Sequence, residues 1–348
     1  MKAAIYNPYL DTLGGGERYT LTFAKVLAEE GYDVDVEWKD SSIKEKLSKR
    51  FGLKLPTNLK IVDSVNRGEG YDLIFWVSDG SIPTLRATKN YIHFQFPFHD
   101  VNGNSLLNKM KLFRVNRIIC NSVFTKNVID KEYGVDSVVL YPPVATDLYK
   151  PKRKLNQICY VARFSNLTQN KGHDVLINNF KKLVKEKKFK DMKFKNWKLV
   201  LAGGTEVGAD IYLKKLKSLA KGVNIEFLES PSIKVLKEVF GNSKIFWSAA
   251  GYGEDEKRNP EKVEHFGITL VESMSAGCVP IVYKAGGYKE IIDNGKNGYL
   301  WQNSKELISI TKQLLDTSGL MANVSKLAVD ASKKYGYEEF KSKIKEII

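Results

Sequence analysis

"YPPVATDLYKPKRK", residues 141–154, breaks an otherwise regular pattern and so decides how the chain divides. Before it, short apolar runs end in turns and hand over to amphipathic stretches. The runs Ala3–Asn7, Asp33–Trp38, Leu73–Val77, Tyr91–Phe94, Arg117–Asn121 and Ser137–Leu140 read as strands, with helices such as Glu17–Glu30 and Ser122–Tyr133 between them. Such alternation means parallel strands with crossover helices on both faces of a sheet. The adjacent Pro142 and Pro143 cannot continue a strand ladder, and the tail of the stretch is charged, so it reads as an interdomain hinge.

Beyond the hinge the pattern restarts. Strands are expected at Gln157–Ala162, Trp197–Ala202, Val223–Leu228, Lys244–Ser248 and Val279–Tyr283, and helices at 172–187, 209–221, 231–240, 269–276 and 303–317. The expected architecture is α/β: two doubly wound parallel sheets facing each other across a cleft. Domains are expected at 1–145 and 146–330, with a C-terminal helix at 331–348 packing back toward the first. Ligands of such folds sit beyond the carboxyl ends of the strands, so the loops there should carry the chemistry.

Composition narrows the possibilities. At 348 residues and 43% hydrophobic, the chain is long enough for two domains with sizeable cores. It begins with no secretory pattern and has no long apolar run, which suggests a cytoplasmic protein. Cys120, Cys159 and Cys278 have no metal or redox spacing and read as reduced core thiols. The net charge of +15 owes much to residues 181–198, where nine lysines face only Glu186 and Asp191. That stretch is either a solvated surface or a contact with an anionic membrane or substrate.

Several loops fit the expected ligand edge. "NPYLDTLGGGERY" (7–19) joins the first strand to the first helix, and its glycines, Gly15 and Gly16 among them, would let amides approach a ligand at a positive helix end. It matches neither the dinucleotide fingerprint nor the phosphate loop. His93 sits near the end of an aromatic strand, either a core histidine or a ligand contact; His99 is a weaker candidate and His173 looks like a helix start. Arg163 and Lys171, on one loop of the second half, suit a diphosphate as planar fork and point charge, or are surface cations. Ser230–Pro231 either caps the next helix or presents backbone groups to a nucleotide base.

"EHFGITLVES" (264–273) contains two carboxylates, Glu264 and Glu272, with Phe266–Gly267 between them and a helix start. Thr269 followed by Glu272 is a capping box, which leaves Glu264 unexplained. Open amides at Gly267, Ile268 and Thr269 would make an anion site. Carboxylates on either side of it could accept hydrogen bonds from hydroxyls, the layout of a sugar nucleotide.

At these residues the sequence resembles the retaining glycosyltransferases of family 4, which have the GT-B fold of two Rossmann-like domains. Glu264–HFGITLV–Glu272 is similar to the family hallmark, and "SAGCVPIVYKAGGYKEIIDNGKNGYL", "NSVFTKNVI" with "YPPV", the glycine-rich first loop and "ARF…NKG" continue the likeness in order along nearly the whole chain. The wording "EHFGI" looks most like mannosyltransferases that build lipid-linked oligosaccharides. The resemblance implies that Glu272 holds ribose hydroxyls and Glu264 the transferred sugar. It further implies that the amides of Phe266, Gly267, Ile268 and Thr269 meet the phosphates with Arg163, Lys171, Gly15 and Gly16, and that His93 lies near the anomeric carbon. A nucleotide-diphospho-sugar is the implied donor, GDP-mannose first and a UDP-sugar next. Neither metal nor other cofactor is implied, and the acceptor would be a hydroxyl, as of a lipid-linked glycan.

The 249–263 loop, "AAGYGEDEKRNPEKV", departs from the minimal pattern by its length and charge, and reads as surface or as a lid. Residues 105–117, "SLLNKMKLFRVNR", carry four cations and no acid, with Leu106, Met110 and Phe113 on one helical face, the composition of a helix lying on an anionic membrane. Two alternatives remain: a nucleotide-sugar epimerase of the same fold, and a non-enzymatic basic protein with affinity for nucleic acid.

Overall fold

The computed structural model describes residues 1–165, 169–185, 196–205 and 208–348. They divide into two units, Met1–Pro143 with Tyr337–Ile348, and Val144–Gly336.

In the first unit Lys2–Tyr6 (β1) leads into Gly15–Glu29 (α1), followed by Asp33–Glu37 (β2), Ile43–Phe51 (α2), Leu59–Val62 (β3), Leu73–Val77 (β4) and Lys89–Phe94 (β5). Leu106–Leu112 (α3), Arg117–Cys120 (β6), Val123–Tyr133 (α4) and Val138–Val139 (β7) complete the run. All strand pairs are parallel, in the order β3-β2-β1-β4-β5-β6-β7. Side chains alternate between the faces: Ala3, Ile5 and Phe75 join one core, Ala4, Ile74 and Ile92 the other. Burial on both faces is why these strands read as continuous apolar runs.

The second unit holds Leu155–Val161 (β8), His173–Lys185 (α5), Lys198–Gly203 (β9), Asp210–Leu219 (α6), Ile225–Glu229 (β10), Ile233–Asn242 (α7) and Ser243–Ser248 (β11). Ile268–Ser275 (α8), Val279–Tyr283 (β12), Tyr288–Ile291 (α9), Tyr299–Trp301 (β13), Ser304–Asp316 (α10) and Leu320–Ser332 (α11) follow. Its parallel order, β10-β9-β8-β11-β12-β13, repeats the arrangement of the first six strands of unit 1. Both units are therefore doubly wound and Rossmann-like. In each the order reverses beside the first strand, between β1 and β4 and between β8 and β11.

Tyr337–Ile347 (α12) belongs to the first unit. Its Phe340 and Ile344 enter the core beside Tyr19, Lys341 pairs with Glu29 at 2.6 Å, and Lys345 pairs with Glu30 at 2.8 Å.

Strands β3 and β13 are additions to the strands expected from the sequence. Two expected helix starts also need correction. The helix expected from residue 231 begins at Ile233, and its cap is Ser232, whose Oγ accepts the Val235 N–H at 3.3 Å, so Ser230–Pro231 caps nothing. The helix expected from residue 269 begins at Ile268, with Gly267 as its N-cap and no capping side chain. Thr269 already lies inside the first turn, so the Thr269–Glu272 capping box does not form.

Candidate active site

The second unit's order reverses between β8 and β11, and the loops leaving these two strands carry Arg163 with Lys171, and Glu264, respectively. Ligand crevices of doubly wound sheets open at such a point. Several contacts bind the two loops together. Gln169 Nε2 donates to the Val263 carbonyl, and the Gly251 N–H donates to the Asn170 carbonyl at 3.2 Å. Gly172 has φ +66°, and a Cβ there would lie 2.6 Å from the Ala249 carbonyl oxygen, so only glycine permits this approach.

At the centre, Lys171 Nζ donates to Glu264 Oε2 at 2.9 Å and also contacts Gln169 Oε1. Lys171 is only 8% exposed. Burial pushes the Glu264 carboxyl up, but the Lys171 ammonium, assisted by His265 and Arg163, outweighs it and holds the pKa below the ordinary carboxylate value. Glu264 is therefore a partly buried carboxylate held ionised by a buried cation. Beside it, burial pushes the His265 imidazole down to about 4 despite the attraction of Glu264, and Nε2–H donates to the Glu261 carbonyl at 3.3 Å.

A shell of hydroxyls surrounds this pair. Tyr160 Oη donates to the Lys171 carbonyl at 3.0 Å, and Tyr288 Oη lies 2.9 Å from Ser248 Oγ. Burial first, then the Glu264 charge, raises the Tyr288 pKa. The Gly286–Gly287 turn lies directly against the Glu264 backbone, where the Gly287 N–H donates to the Glu264 carbonyl at 2.8 Å. A Cβ on Gly286 would lie 2.1 Å from that carbonyl oxygen. Tyr160, Ser248, Gln169 and Tyr288 were not singled out from sequence. Side-chain contacts between separate strands and loops leave no local pattern.

Gly267, at φ +117° and ψ +58°, turns the chain sharply into α8. The first-turn amides of this helix have no intrahelical partner. Phe266 is buried against Tyr335, Glu272 is buried within α8, and Ile268 and Thr269 are partly exposed. Arg163 is exposed just past β8. At the end of β10, Ser230 adopts φ +47°, an unusual conformation for a residue with a side chain, and its N–H donates to the Gly203 carbonyl at 2.7 Å. The 249–263 loop is partly tied down, since Glu256 accepts the Gly286 N–H at 2.8 Å and pairs with Lys289.

The first-unit candidates fare differently. Gly15 and Gly16 open α1, where the Glu17 carboxylate accepts the Gly14 N–H and the Thr12 hydroxyl, each at 2.7 Å. A Cβ on Gly16 would collide with Gln95 Oε1 at 2.0 Å, a tertiary reason for that glycine. His93 must be corrected. It is fully enclosed and stacked on Tyr19 (ring centroids 4.2 Å apart) and Phe75, with Nδ1–H donating to the Ile119 carbonyl at 3.1 Å. Burial pushes its pKa down to about 3. A neutral imidazole sealed in the core does not touch a sugar, so the core reading holds. His99 lies near the surface beside Asp100, and His173 is buried at the start of α5.

Among the described residues no three His, Cys, Asp or Glu side chains gather as a metal site. No described helix is long and apolar enough to cross a membrane.

Residues 149–329, just over half of the chain, match the family model described as "Glycosyl transferases group 1". The chain belongs to the group 1 glycosyl transferases. Among the proteins similar to this chain is a Dictyostelium discoideum protein named GDP-Man:Man(3)GlcNAc(2)-PP-Dol alpha-1,2-mannosyltransferase. It is 26% identical over 236 residues, 64% of this chain and 45% of that relative. The match thus spans less than half of that relative's length. An uncharacterized glycosyltransferase of Haemophilus influenzae is 23% identical over 95% of both chains. Solved structures agree in fold. A Rickettsia africae glycosyltransferase has a TM-score of 0.76 at 18% identity, covering 99% of this chain and 97% of that one. Anabaena HepE, in complex with UDP and glucose, has a TM-score of 0.72 at 17% identity, covering 99% and 98%. The GT-B fold of this group transferase is thereby shown.

Proposed function

We propose that the chain is a retaining, metal-independent glycosyltransferase that moves a hexose from a nucleotide-diphospho-sugar to a hydroxyl acceptor. The observation that carries the reading is the Glu264 carboxylate held ionised by Lys171 where the second sheet's strand order reverses, two residues before the uncapped turn into α8. Transfer separates a diphosphate leaving group from the sugar, so negative charge grows on the phosphates. Amides of Phe266 to Thr269 at a helix start, with Arg163 and the ammonium of Lys171, would stabilise that charge without reorganising. Glu264 would accept hydrogen bonds from hydroxyls of the transferred sugar, which fixes the ring for reaction, and Glu272 from the ribose. Ser230–Pro231 would border the base. Retention follows from the family 4 likeness of the Glu264–Glu272 motif.

GDP-mannose is the first donor to test, on the name of the Dictyostelium relative, and a UDP-sugar the second, on the HepE complex. A lipid-linked glycan is the proposed acceptor, on the same Dictyostelium name, and the proposed setting is the cytoplasmic face of a membrane. A thermal-shift screen over nucleotide sugars would identify the donor, since ligand at a hundred times its Kd stabilises by about 2.7 kcal/mol. Transfer should then persist in a chelator and be largely lost in Arg163→Ala, with circular dichroism showing that the variant still folds. If no nucleotide sugar shifts the melt, or if donor alone is converted to its epimer, the reading is wrong.

A further inference from the structure

No residue of α3 is buried. Leu106, Leu107, Met110 and Phe113 are 77%, 61%, 67% and 94% exposed. At about 100° per residue, Leu106, Met110 and Phe113 fall within about 60° of one another, and Leu107 widens the arc to about 120°. Lys109 and Lys111 flank the arc, one at each edge. On the opposite side Leu112 packs against the core that contains Ile92 and Phe94.

This helix is firmly mounted. Ser105 Oγ accepts the Asn108 N–H at its start. In the preceding loop the Glu132 carboxylate of α4 accepts the N–H groups of Asp100, Val101 and Gly103 at 3.1, 3.1 and 3.0 Å. The apolar arc is thus a fixed platform held out into water. Single exposed apolar side chains are ordinary, whereas a contiguous group with a charged rim marks an interaction surface.

Charge selects the partner. Residues 101–117 contain Lys109, Lys111, Arg114 and Arg117 and no acid. A second copy meeting this face symmetrically would set those cations against themselves. Lysines at both edges of an apolar arc suit a planar array of anionic head groups, with apolar side chains between them.

We propose that α3 docks the chain on an anionic lipid bilayer. Leu106, Leu107, Met110 and Phe113 enter the boundary between head groups and acyl chains, and Lys109, Lys111 and Arg114 meet the lipid phosphates. Of the two basic stretches noted in the sequence, only this one is described throughout; residues 186–195 of the other lie outside the described residues.

Co-sedimentation of the full chain with phosphatidylcholine vesicles, with and without phosphatidylglycerol, tests the proposal and needs no sugar donor. Its outcome is therefore separate from that of the nucleotide-sugar screen. Binding should require phosphatidylglycerol. The pair Met110→Ser with Phe113→Ser should weaken binding at least about tenfold, the scale of large apolar groups left in water. Lys109→Ser with Lys111→Ser should weaken it about thirtyfold. Unchanged melting temperatures would show that both variants still fold. Absence of binding to either vesicle, or binding that the Met110 and Phe113 changes leave intact, overturns the proposal. So does a dimer in sedimentation velocity that Phe113→Ser dissociates without any vesicle binding.

Discussion

Separating Lys171 from Glu264 should cost both stability and turnover, and a double-mutant cycle distinguishes the two losses. At 2.9 Å and an effective dielectric constant of about 20, Coulomb's law puts the attraction near 6 kcal/mol before desolvation is subtracted. Lys171 is nearly buried and the Glu264 side chain is 23% exposed, so desolvation offsets a large share of that. Either Lys171→Met or Glu264→Gln strands a charge in a desolvated place and should destabilise by about 3 kcal/mol. For a domain of this size that lowers the melting temperature by about 6–12 °C. The double variant removes both charges and should cost about 3 kcal/mol rather than the additive total of about 6, a coupling of about 3 kcal/mol by denaturant titration. Donor turnover, measured on the same proteins, should stay low in the double variant, because the carboxylate proposed to hold the sugar is still missing. Additive destabilisation would refute the ion pair as a coupled unit. Recovery of turnover in the double variant would refute a direct role for Glu264.

Acid should destabilise the fold. His93 and His173 are fully buried, and burial lowers both from 6.5 to about 3, so between those values the unfolded chain binds more protons and stability rises with pH. Below about pH 6 each should remove up to about 1.4 kcal/mol per pH unit. The lowered Glu264 adds a loss in the same direction as pH falls through the carboxylate range. A melting temperature flat from pH 7 to about pH 4, where the native imidazoles stay neutral, would contradict this. Gly267→Ala should cost about 1–3 kcal/mol in chemical denaturation, because it forces a side chain onto φ +117° and a Cβ to 2.6 Å from the Tyr288 ring. An unchanged midpoint would show that the turn does not require glycine. Thr269→Ala should stay within about 0.5 kcal/mol of the parent, since Thr269 caps no helix end. A loss of about 1 kcal/mol would restore the capping box.

The α/β class and the parallel strands could be read from the sequence, because period-2 runs and helical periodicity act over a few residues. Leu73–Val77 and Val279–Tyr283 were placed to the residue. The Glu264–Glu272 motif also stood out in sequence, since both carboxylates fall within one short segment. Strand order did not, because periodicity says what a strand is and nothing about its neighbours. Tertiary structure alone put β8 next to β11, and so joined Lys171 to Glu264 across 93 residues of chain. It also decided His93, whose sequence surroundings allowed both a core and a ligand role until Tyr19 and Phe75 closed over it. Gly267 in place of Thr269 as the cap of α8 was likewise a matter of backbone direction, set by the packing of Tyr288 against that turn. Local chemistry named the residues, while burial and long-range pairing, which depend on the whole chain, determined which of them carry charge and which are sealed away.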